Sequence, residues 1–74
     1  MTEEEIAKVA RGLTKAQCRM ILLAHETFIM ERMKLPGKNK GLRSAGLATL
    51  AWRGGDLLTE DGLAVRKYLE THHV

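Results

Sequence analysis

Seven side chains between Lys34 and Arg53 are of the types that hold a polyanion: Lys34, Lys38, Asn39, Lys40, Arg43, Ser44 and Arg53. Lysine and arginine neutralise phosphates and release their condensed counterions, and a serine hydroxyl donates to phosphate oxygens. Asparagine and arginine also match the donor and acceptor pattern of base edges. No acidic residue interrupts the stretch. The chain as a whole carries a formal charge of +3, but residues 1–33 are neutral, 34–53 hold +5 and 54–74 hold −2. A local excess of this kind is a better footprint for a polyanion than diffuse positive charge. The plainer alternative is a solvated basic loop.

No rival chemistry emerges from the other polar residues. His25 and Glu26 fall in a stretch expected to be helical, and His72-His73 sit at a terminus, none with a partner at a recognisable spacing. Cys18 and His25 are seven residues apart and would share a helix face, but two ligands do not complete a zinc site. A lone cysteine reads more simply as a small buried hydrophobe, and it excludes an internal disulfide. The glycines at Gly37–Gly41 and Gly54-Gly55 lack the Gly-Lys-Ser/Thr ending of a phosphate loop. The chain is therefore expected to have no catalytic residue, no metal site and no cofactor, and not to be an enzyme.

The elements that must position the basic stretch follow from capping and breaking signals. Seventy-four residues make one domain. Thr2-Glu3-Glu4-Glu5 is a capping box with three acids at the positive end of a helix dipole, and Gly12 stops the helix, giving about Glu3–Arg11. Thr14-Lys15-Ala16-Gln17 is a second box. The helix it opens meets no breaker until Pro36-Gly37, with Ala16, Met20, Leu23, Ala24 and Thr27 on one face and Ile21, Leu22, Phe28 and Ile29 widening the arc. A break near His25–Thr27 is left open. Leu35–Gly41 is a loop, and Leu42–Ala45 forms a short helix with Asn39 as a candidate cap and Gly46 as its stop.

Leu47–Trp52 has strand character, and Gly54-Gly55 supplies the positive φ that a two-residue hairpin turn needs. That register sets Trp52 opposite Leu57, Ala51 opposite Leu58, and Arg53 against Asp56 across the turn. Leu50, Trp52 and Leu57 would then share an apolar face. Thr59 caps a last helix, with Glu60 and Asp61 in its first turn and Ala64, Val65, Tyr68 and Leu69 as its buried stripe. The layout is a helix over 1–12, a core over 13–71 and a frayed tail over 72–74. The fold class is mainly α with a two-stranded β-hairpin, an α+β fold in the order α-α-α-β-β-α.

Leu42-Arg43-Ser44-Ala45-Gly46-Leu47 and Leu58-Thr59-Glu60-Asp61-Gly62 resemble two signatures of small bacterial and phage winged helix-turn-helix domains. These are the Leu-x-x-x-Gly-Leu end of the third helix and the Leu-Thr-x-x-Gly opening of the helix after the wing. Leu13–Gln17, LTKAQ, is similar to a helix entry in the same group. The resemblance spans roughly Leu13–Leu69. It implies a DNA-binding regulatory module, with Lys38, Asn39, Lys40, Arg43 and Ser44 presented to the major groove of double-stranded DNA and Arg53 at the wing tip. An acidic protein surface is the alternative partner for the same basic residues; Met20, Met30 and Met33 could line an interface, and Ile29, Met30 and Met33 could be buried in a homodimer. The longest apolar run, Met20–Ala24, is far short of a membrane span, and no secretory leader is visible, so a cytoplasmic protein without a membrane partner is expected.

Overall fold

A computed structural model describes residues 1–26, 33–50 and 55–72. Among these, helices α1 (Glu3–Gly12), α2 (Lys15–Leu22), α3 (Lys40–Ser44) and α4 (Glu60–Thr71) surround strands β1 (His25–Glu26), β2 (Met33–Lys34), β3 (Ala48–Leu50) and β4 (Asp56–Leu58). The result is an α+β fold with one four-stranded antiparallel sheet in the order β1-β2-β4-β3.

Each helix starts where its capping signal lies. The Thr2 hydroxyl accepts from the Glu5 N–H, and Thr14 and Gln17 complete a reciprocal capping box. The carboxamide of Asn39 accepts from the Leu42 N–H, and the Thr59 hydroxyl from the Gly62 N–H. A cap of this type satisfies a backbone donor that the first turn leaves open.

The second helix departs from expectation. It ends at Leu22 rather than running to the Pro36 loop, and the chain turns into β1 and, later, β2. Lys34 pairs with His25 on one side and with Leu57 on the other, so β2 is an interior strand. Backbone pairing across 23 residues of sequence thus overrides a local pattern that contained no breaker. The buried face of α2 is the expected one only in part. Cys18 and Ile21 point inward with Ala24 just beyond the helix, whereas Ala16 is exposed and Leu23 is 59% exposed. Thr27, Phe28, Ile29 and Met30 lie outside the described residues.

The second hairpin is also set differently. Ala48 faces Leu58, Thr49 faces Leu57 and Leu50 faces Asp56, a shift of three residues from the tight-turn register. Leu57 therefore has Thr49 and not Trp52 opposite it, and Leu58 has Ala48 and not Ala51. Leu50 and Leu57 fall on opposite faces, the former 60% exposed and the latter buried. Gly55 does adopt the left-handed φ of +66°. Ala51, Trp52, Arg53 and Gly54 lie outside the described residues, as do His73 and Val74.

Among the described residues the core is one cluster. Ala10 of α1, Cys18 and Ile21 of α2, Leu35, Leu42, Leu47, Leu58, and Val65 and Leu69 of α4 pack together, with Ile6, Val9, Met20 and Tyr68 at its margin. The helix α4 is its spine, touching both α1 and α2. At its start, Gly62 lies so close to the Leu47 carbonyl that an added Cβ would overlap that oxygen and crowd Leu58. Gly62→Ala is therefore expected to destabilise the fold by about 2 kcal/mol or more. Gly12→Ala, where a Cβ meets nothing within 4 Å, should be neutral or stabilising by up to about 1 kcal/mol. Urea unfolding midpoints of the two variants measure the contrast, and equal midpoints would contradict it.

Candidate nucleic-acid interface

The basic stretch is built around α3, and α3 is locked at both ends. Its C-terminus is a Schellman motif. Gly46, at φ +78°, sends its N–H to Arg43 O at 3.1 Å, and the Leu47 N–H reaches back to Leu42 O at 3.0 Å. Glycine suits this position because only it takes the left-handed conformation without strain. Leu42 and Leu47, the residues that flank such a cap, are both fully buried. The Leu-x-x-x-Gly-Leu signature is thus a helix stop with a hydrophobic latch.

The Leu-Thr-x-x-Gly signature closes onto that stop. The Thr59 hydroxyl donates to Gly46 O at 2.6 Å while its N–H donates to Leu47 O at 3.0 Å. The same hydroxyl accepts from the Gly62 N–H at 3.1 Å. One threonine therefore joins the end of α3 to the beginning of α4, and Gly62 lets the two backbones approach. The two signatures form one clasp.

The other end of α3 is held by Asp56, whose carboxylate is fully buried. Its Oδ2 accepts from the Asn39 N–H at 2.9 Å and faces Arg43 Nε at 3.2 Å. Its backbone N–H donates to Gly37 O at 3.0 Å, and its carbonyl accepts from the Leu35 N–H at 2.7 Å. Asp56 thus fixes the loop before α3, its N-cap and its last turn at once. Asp56 takes Arg43 as its cation, whereas Arg53, the partner expected across the turn, lies outside the described residues. The other oxygen, Oδ1, is buried with no hydrogen-bond partner among the described residues.

Asn39 is equally occupied. Its Oδ1 accepts from the Leu42 N–H at 2.9 Å and from Gln17 Nε2 at 3.5 Å, and its Nδ2 donates to Met20 Sδ at 3.7 Å. The start of α3 is thereby tied to α2 as well as to β4.

Of the seven residues singled out from sequence, Lys38, Lys40 and Ser44 are exposed, while Asn39 and Arg43 are half-buried members of this network. Lys34 is half-buried on β2 with its side-chain carbons along Gly55. The contacts of Asp56, Gln17 and Met20 with Asn39 and Arg43 were not foreseen from the sequence. The available signal was an acid lodged between Gly55 and Leu57-Leu58, beside the long acid-free stretch.

His25 is on β1 and exposed while Cys18 is on α2 and buried, so they do not share the helix face expected of them. Among the described residues, no three or more His, Cys, Asp or Glu side chains are grouped to hold a metal ion, and no helix is long and apolar enough to cross a membrane. An open groove of about 570 Å³ runs between α1 and α4, floored by Ile6, Ala7, Ala64 and Tyr68, and includes no residue of the basic stretch. There His72 stacks on Tyr68 with ring centroids 4.1 Å apart.

No protein-family model, curated protein or solved structure matches this chain.

The network predicts an asymmetry between a buried and an exposed position. Asp56→Ala leaves the Arg43 guanidinium without its ion-pair partner and the Asn39 N–H without its acceptor, and should cost about 3 kcal/mol or more. Lys40→Ala, at an exposed position, should stay within about 0.5 kcal/mol of the parent. Chemical denaturation read by circular dichroism tests this; an Asp56→Ala protein as stable as the Lys40→Ala one would contradict the assignment.

Proposed function

We propose that this chain is a small double-stranded-DNA-binding module of winged-helix type, with α3 at the contact edge and the β3–β4 hairpin beside it as the wing. One observation carries the reading. The only carboxylate in residues 33–58 is that of Asp56, and it is fully buried against Arg43 and Asn39. The segment therefore offers Lys38 and Lys40 to solvent with no exposed acid of its own to offset them. An edge of this kind attracts phosphates and loses affinity as salt rises.

The clasp of the two signature segments supports the winged-helix comparison, as does the antiparallel hairpin between them. The β1–β2 pairing is a difference, since it lies where a compact helix-turn-helix would run from one helix into the next. The structure also changes which residues probe the function. Reversing Arg43 would strand a buried carboxylate and report on folding, so Lys38 and Lys40 are the informative positions.

Fluorescence anisotropy with a labelled 20-base-pair duplex provides the test. With about two phosphate contacts, from Lys38 and Lys40, affinity should fall roughly 12-fold between 50 and 200 mM salt. Lys38→Glu plus Lys40→Glu should weaken low-salt binding by about tenfold or more without altering the circular dichroism spectrum. Absence of binding at low salt, or binding indifferent to the double reversal, would sink the DNA reading and favour an acidic protein partner.

A further inference from the structure

We infer that the α3 edge grips the phosphodiester backbone and does not read base sequence; this rests on the DNA-binding reading above. Direct readout needs side chains that present paired donors and acceptors, above all asparagine to adenine and arginine to guanine. In this chain Asn39 caps α3 and Arg43 sits in its last turn, both half-buried and each with polar atoms held by neighbours. Asn39 would need its Oδ1 and Nδ2 together, but Oδ1 already accepts from Leu42 and Gln17, and Nδ2 donates to Met20. Freeing the carboxamide would uncap α3. Arg43 holds its Nε, a buried atom, against the carboxylate of Asp56.

Helical geometry explains the arrangement. At 100° per residue, Leu42 and Arg43 form the inner side of α3, and the outer side falls to Lys40, Gly41, Ser44 and Ala45. All four are exposed, while Leu42 is fully buried and Arg43 only partly open. The outer face thus carries one cation, one hydroxyl and Ala45, too small to reach a base, while at Gly41 a Cβ would stand 2.6 Å from Gln17 Nε2. Lys38 adds a second cation just before the helix. Small residues let a backbone come close, and lysine binds phosphate as a point charge with little demand on geometry. That combination suits the phosphate ribbon, whose contacts position a protein without carrying sequence information.

The experiment compares three 20-base-pair duplexes, alternating AT, alternating GC and mixed, at one fixed low salt concentration. Dissociation constants should agree within about threefold, because even one good base contact discriminates by roughly fivefold or more. Lys38→Ala plus Lys40→Ala should weaken all three by the same factor and reduce the slope of log affinity against log salt by about 2. A preference of about tenfold or more for one duplex overturns the inference while leaving DNA binding intact. So does a preference that Arg43→Lys abolishes, which would assign base reading to the pinned guanidinium. No binding to any duplex overturns the underlying DNA reading instead.

Discussion

The buried carboxylate of Asp56 is the constraint on which the rest of this fold depends. A charge taken out of water is tolerable only where it is paired and hydrogen-bonded. Here the Asn39 N–H at the start of α3 donates to it and the Arg43 guanidinium in the last turn supplies the opposite charge. Because Asp56 is also the first residue of β4, its backbone bonds to Leu35 and Gly37 hold the preceding loop along the sheet. A helix of five residues has little stability of its own. It persists here because one side chain fixes its beginning and its end to the same strand.

That arrangement separates two kinds of positive charge that look alike in the sequence. Arg43 is spent inside, neutralised by Asp56, whereas Lys38 and Lys40 remain at the surface. The local excess over residues 34–53 is therefore partly structural. Counting charges finds the segment, and burial decides which of them a partner would meet.

Much of the architecture was legible because it is written in local chemistry. Thr14, Asn39 and Thr59 cap their helices as their side chains dictate, and Gly46 and Gly55 take the left-handed conformations that suit glycine. What escaped was non-local. Nothing between Leu22 and Lys34 forbids a helix; the strand at Met33–Lys34 exists because Leu57 pairs with it. The hairpin register likewise depends on more than the Gly-Gly pair, since Asp56 must face Asn39 and Arg43. For the candidate site, residue types pointed to the right segment, yet Asn39 and Arg43 turned out to be held by neighbours that no spacing rule connects to them.

The clasp between Gly46-Leu47 and Thr59-Gly62 has a further consequence, in the entropy of chain closure. Its contacts join residues fewer than 20 apart, whereas the seam between α1 and α4 joins segments separated by nearly the whole chain. Loop-closure cost grows with the logarithm of length, so drawing α1 against α4 demands roughly 1 kcal/mol more than closing the clasp. Once the clasp is shut, α4 is already oriented by Thr59 and shielded at Gly62. In closure entropy the clasp is thus the cheaper of the two contacts to form.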